Sequence, residues 1–106
     1  MMTNKATLKV TSNTAKLVFR TNAGWPQRVD ITGEYFSKTY EGSGEGKTHV
    51  VELVGHGDYT VAFSHRRGGE NRWRPSRVQQ VSSRLAGSED GADNDYQDSI
   101  VEIVAA

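Results

Sequence analysis

The chain of 106 residues has no cysteine. Disulfides, thiolate metal sites and cysteine nucleophiles are therefore excluded, and stability has to come from packing, a bound ion or a partner subunit. No run of apolar residues is long enough to cross a membrane. The first residues, Met1-Met2-Thr3-Asn4-Lys5-Ala6-Thr7, lack the apolar core of a secretory signal. This predicts a cytoplasmic protein as synthesised, with the cell surface or extracellular space reached only by an unconventional route. Net charge is also missing: the formal sum is zero and the pI is about 6.8, whereas a dedicated nucleic-acid binder is usually basic overall. Catalytic signals are thin. His49, His56 and His65 are spread over different segments, and no serine sits in a nucleophile-elbow pattern. The expectation is a protein that is not an enzyme.

What the chain does have is alternation. Ala6, Leu8 and Val10 share one face, with Thr7 and Lys9 on the other. The same period runs through Leu17–Phe19, Val29–Ile31, Glu34–Tyr40, His49–Val54, Asp58–His65, Arg77–Leu85 and Ser99–Val104. A period of two marks half-buried strands, and the valine, threonine and aromatic content agrees. Turn signals fall at Ser12-Asn13-Thr14, Asn22-Ala23-Gly24, Gly33, Gly55-His56-Gly57-Asp58 and Arg67-Gly68-Gly69-Glu70-Asn71, and Glu41–Lys47 reads as a polar hairpin loop. Short strands at roughly 8–12 residue spacing predict an all-β fold, an antiparallel β-sandwich of about eight or nine short strands. One domain over residues 1–106 is expected from the length.

The zero net charge hides two opposed blocks. Arg66 to Arg84 holds six arginines against one glutamate, and Gly87 to Asp98 holds five carboxylates and no base. Glu89, Asp90, Asp93, Asp95 and Asp98 repel one another unless something neutralises them. Two readings stand: a solvated acidic turn, or a loop wrapped around a hard cation. Calcium takes six to eight oxygen ligands from carboxylates and carbonyls in flexible loops. Asp93, Asp95 and Gln97 alternate, Asp98 is adjacent, and Gly91 and Ala92 allow a tight turn. Zinc is disfavoured without cysteine or a nearby histidine. An EF-hand is excluded, because its loop needs glycine at position six and glutamate at position twelve, where a count from Asp93 finds Asp98 and Val104.

The run Gly87-Ser88-Glu89-Asp90-Gly91-Ala92-Asp93-Asn94-Asp95-Tyr96-Gln97-Asp98, followed by the apolar Ser99–Val104, closely resembles the calcium loop of bacterial calcium-dependent fucose/mannose-binding lectins of the LecB type. Weaker echoes are Arg74-Pro75-Ser76 and Phe19-Arg20-Thr21-Asn22-Ala23-Gly24, the latter similar to their sugar-contacting turn. The resemblance implies a nine-stranded sandwich in which two calcium ions coordinate sugar hydroxyls directly. Carried over, Glu89, Asp93, Asp95, Gln97 and Asp98 are metal ligands, with a further oxygen from Asn22. Asn22, Ala23, Gly24, Asp90, Asp93 and Asp98 contact the sugar. Gln97 stands where the family usually has asparagine. The family's terminal glycine carboxylate, supplied by a neighbouring subunit, is replaced by Ala105-Ala106 on a shorter tail. One or two calcium ions are therefore expected, and a homo-oligomer, a dimer above all, since single sugar sites are weak and gain from multivalency.

The arginine block, with Trp73 inside it, has three readings: a phosphate or nucleic-acid site, a contact for anionic glycans, and a solvated loop that screens the neighbouring acids. The last is favoured by the neutral whole. Trp25 reads equally as a platform for a sugar's C–H face and as a core plug, and Tyr96 as an anchor packed inward from the loop. The leading reading is a calcium-dependent lectin for fucose- or mannose-type sugars. The alternative is a calcium-stabilised structural or adhesion module that binds no sugar.

Overall fold

In a computed structural model, which describes residues 4–11, 14–34, 36–54, 56–67, 70–89 and 98–105, strands dominate. They are β1 (Lys5–Val10), β2 (Thr14–Thr32), β3 (Ser37–Val54), β4 (Gly57–His65), β5 (Arg74–Pro75), β6 (Arg77–Ser82), β7 (Leu85–Glu89) and β8 (Ser99–Ala105). All pairings are antiparallel, in the order β1-β4-β2-β8-β7-β6, with β3 on β2 and β5 on β4. The two ends of this order approach each other. The Lys9 amide donates to the Ser83 carbonyl at 2.8 Å and the Thr7 amide to Gln80 Oε1 at 3.1 Å. The all-β expectation holds, and the sheet is nearly closed into a barrel. Among the described residues no helix is long and apolar enough to cross a membrane.

Two strands are far longer than expected. The runs around Leu17 and Ile31 belong to the single strand β2, and those around Tyr40 and Val51 to β3. Asn22-Ala23-Gly24 is thus an irregularity inside a strand, not a break, and Glu41–Lys47 lies within β3 rather than forming a hairpin loop. The turn-forming residues of the two strands sit opposite one another, at register shifts between Thr21 and Asn22 and between Ala23 and Gln27. There the pair bends without parting. Gly46, at φ 70°, takes the left-handed conformation that such a bulge needs.

The bend lets β2 serve two neighbours. Its first half, Ala15–Thr21, pairs with β8, and its second half, Gln27–Thr32, pairs with β4. A strand that changes partner through bulges is one way in which two sheet faces fold over a common core. That core contains Leu8, Leu17, Phe19, Ile31, Leu53, Val61, Phe63 and Val101, each no more than 1% exposed. The strict alternation of β1, where Ala6, Leu8 and Val10 are buried, follows from the pleat.

Candidate functional site

The bend in β2 lies against the end of the acidic segment. The Asn22 amide donates to the Asp98 carbonyl at 2.9 Å, and the Asp98 amide donates to the Ser88 carbonyl at 3.1 Å. Asn22 and Gly24 are exposed, Ala23 is buried, and Asp98 is half-buried just before β8. Glu89 closes β7 and is buried, at 2% exposed. Gly87, Ser88 and Glu89 therefore belong to a strand and not to a loop. Gly87 pairs with Gln79 on one side and Ile100 on the other, and small residues suit a strand whose inner surface is covered. Asp90, Asp93, Asp95, Gln97 and Tyr96 lie outside the described residues.

Beneath the bend runs a buried polar chain that the sequence did not disclose. Ser88 Oγ and Ser99 Oγ are 2.7 Å apart, Ser99 donates to Gln27 Oε1 at 3.0 Å, and Gln27 Nε2 donates to the Trp25 carbonyl at 3.1 Å. Gln27, Ser88 and Ser99 are wholly buried. The chain ties β7 and β8 to Trp25 and Gln27, at the end of the irregularity in β2. Buried networks of this kind hold when every member has a partner.

A buried carboxylate at a strand end is costly unless a cation or strong hydrogen bonds balance it. The carboxylate and amide oxygens of Glu89, Asp98 and Asn22, without sulfur or imidazole, are hard donors suited to calcium. Among the described residues no three His, Cys, Asp or Glu side chains come together as a metal group.

A second feature lies on the far side of Trp25. That indole is 37% exposed, so it is not a core plug. It stacks on His65, with ring centroids 6.0 Å apart and planes 14° from parallel, and the Arg67 guanidinium lies 5.5 Å from its centre. Trp73 carries Arg28 at 4.7 Å and Arg66 at 5.2 Å. Arg74 holds Glu70 through two 2.7 Å bonds. His65, Arg67, Arg72, Trp73, Arg74 and Pro75 line an open cleft of about 300 Å³. Of the arginine block, Arg66 and Arg67 thus lie against the indoles and Arg74 against Glu70, whereas Arg72 and Arg84 are exposed.

His65 is buried, and its Nδ1 lies 2.9 Å from Ser76 Oγ while Arg67 Nε approaches Nε2 at 3.5 Å. With Nε2 accepting, the ring proton is assigned to Nδ1. Burial first, then the charges of Arg67 and Arg74, hold its pKa below the ordinary 6.5 against the opposing pull of Glu70. His49 stacks on Phe19 and His56 is exposed, so the three histidines form no common centre.

Residues 7–106 match the family model of fucose-binding lectin II (PA-IIL). Comparison with curated proteins finds no match. Among solved structures, the fold resembles the Chromobacterium violaceum lectin CV2L in complex with alpha-methyl-fucoside, at 24% identity and TM-score 0.60, over 97% of this chain and 96% of that one. A high-affinity mannose-binding lectin of Ralstonia solanacearum is similar at 22% identity and TM-score 0.58, over 92% of each chain. The C-terminal domain of the Burkholderia cenocepacia lectin BC2L-C is similar at 25% identity and TM-score 0.56, over 97% of this chain and 96% of that one.

Proposed function

From the premise that the chain belongs to the fucose-binding lectin II (PA-IIL) family, and is a carbohydrate-binding lectin rather than an enzyme, we propose that it binds fucose- or mannose-type sugars through calcium held between the acidic segment and the bend of β2. The lectins of this family are calcium-dependent. In this reading Glu89, Asp93, Asp95, Gln97 and Asp98 hold the metal, with an oxygen from Asn22, and Asn22, Ala23, Gly24, Asp90, Asp93 and Asp98 meet the sugar. One or two ions are bound, and the protein works as a homo-oligomer, a dimer above all.

One observation carries the reading: the amide of Asn22 is bonded to the carbonyl of Asp98. The proposed sugar turn and the proposed metal loop are therefore neighbours, as a metal-bridged site requires. Calcium, when bound, would supply a positive centre for sugar hydroxyls. The chain's own part is to neutralise that centre and to accept hydroxyl protons on carboxylate oxygens. Such charge-assisted bonds are about twice as strong as neutral ones. The buried serine–glutamine chain anchors the residues just after Gly24 to β7 and β8. Ala23 and Gly24 present little side chain, so a sugar ring can approach the backbone closely.

A calcium titration followed by melting temperature tests the proposal. Calcium at one hundred times its Kd adds about 2.7 kcal/mol of stability if it binds only the folded chain. Asp95→Ala and Asp98→Ala are expected to abolish both that rise and sugar binding. A rise that survives both substitutions contradicts the assignment. A calcium-dependent rise with no sugar bound favours a structural or adhesion module instead.

A further inference from the structure

We infer that the cleft formed by Arg67, Arg72, Trp73 and Arg74 is a subsite for a negatively charged saccharide unit, one bearing a sulfate, phosphate or carboxylate group. The saccharide part of this inference rests on the lectin reading above. The anion part rests on the cleft alone.

Charge points to an anion. Among the described residues the only carboxylate paired with an arginine of the cleft is Glu70, and Arg74 takes it in a bidentate contact. The Glu70 carboxyl is held below its ordinary range first by that bond, and further by the fields of Arg74, Arg72 and Arg67. Of the described residues, only Arg74 contacts that carboxylate. Arg67 and Arg72 form no ion pair among the described residues. Guanidinium presents a planar fork of donors matched to oxyanions.

The aromatic rings add preorganisation. The Arg67 guanidinium sits by Trp25, and those of Arg28 and Arg66 sit by Trp73. Contact with a ring restrains a guanidinium, and the Nε of Arg67 is further directed at His65 Nε2, at 3.5 Å, which leaves its terminal N–H groups for a ligand.

Position favours a saccharide over a free anion. Trp25 follows Gly24 directly in β2, the Arg66 amide donates to the Pro26 carbonyl at 3.0 Å, and Trp25 stacks on His65, which lines the cleft. Through that stack the wall of the cleft is linked to the indole that follows Gly24. A glycan seated on Asn22 and Gly24 would extend its next unit toward the arginines. A nucleic acid is disfavoured by the neutral chain.

The test titrates the full chain with a heparin-derived hexasaccharide, with calcium and again after chelation, and with a single-stranded oligonucleotide of equal charge. The inference expects the hexasaccharide to bind in both conditions, because the cleft needs no metal, and to bind at least tenfold tighter than the oligonucleotide. Arg72→Gln should weaken it at least fivefold while leaving the affinity for L-fucose in calcium within twofold. Arg67→Gln, which also loses its contact with Trp25, serves as the second variant and should weaken the hexasaccharide further. Absent hexasaccharide binding, equal affinity in both variants, or an oligonucleotide bound as tightly would each overturn the inference. Failure of the lectin reading shows separately, as L-fucose that does not bind the unaltered chain in calcium.

Discussion

Asn22 and Asp98 are joined through their backbones, the amide of the first donating to the carbonyl of the second at 2.9 Å. The bond spans from the bulged middle of β2 to the residue that leads into β8. It makes the exposed Asn22–Gly24 turn and the end of the acidic segment one surface. Because it is a main-chain bond, substitution of the Asn22 side chain tests ligation without breaking the junction.

Asn22→Ala should therefore lower calcium affinity about tenfold, as loss of one oxygen ligand, while leaving the melting temperature under chelation nearly unchanged. An exposed side chain outside the core normally contributes within about 0.5 kcal/mol. Calcium titration by calorimetry and a thermal melt in chelator read the two effects apart. Unaltered calcium affinity would remove Asn22 from the ligand set.

Ser99 sits at the middle of the buried chain between Ser88 and Gln27. Ser99→Ala removes the hydroxyl that donates to Gln27 Oε1 and that bonds Ser88 Oγ, at a cost of about 1–3 kcal/mol. Urea unfolding measures it. Sugar affinity should fall as well, since Gln27 supports the Trp25 carbonyl just past the turn.

The pH dependence follows from His65. Its folded pKa lies below the ordinary 6.5, so between those two values the unfolded chain binds a proton that the folded chain does not. Its contribution to stability is thus complete above pH 6.5 and is lost as pH falls below it. The charges around it are Arg67, Arg74 and Glu70. His65→Gln should flatten the decline in melting temperature as pH falls below 6.5. An unchanged slope would mean that other groups govern it.

Gly46 has φ of 70°, and no neighbouring atom lies within 4 Å of where a Cβ would be. Space is available but the backbone is not. Left-handed conformation costs an L-residue roughly 1–2 kcal/mol, and a β-branched side chain pays the full strain. Gly46→Val should lose about that much in urea unfolding, and Gly46→Asn markedly less. Equal losses would mean that the bulge does not hold this conformation.

The sequence made the faces of the strands legible but not their continuity. Ala6, Leu8 and Val10 alternate because one side of β1 meets the core, and alternation reads burial directly. Asn22-Ala23-Gly24 and Glu41–Lys47 carry turn residues that report local backbone freedom, not pairing. Only the register shows that both lie at the same level of one bent hairpin, where they make a bulge instead of two loops. Similarly, the acids of Gly87–Asp98 suggested a loop throughout, whereas Glu89 ends a strand whose small residues fit a covered surface. The adjacency of Asn22 and Asp98 was expected from the resemblance to known lectins. The polar chain through Gln27 and the pairing of arginines with Trp25 and Trp73 were not legible, because each joins segments distant in sequence.

The most direct measurement is calorimetric titration of L-fucose and D-mannose into the protein, first in calcium and then after chelation. The account predicts saturable heat with at least one of the sugars in calcium and none once the metal is removed. Heat that persists after chelation, or none in calcium with either sugar, would contradict a calcium-bridged fucose- or mannose-type site.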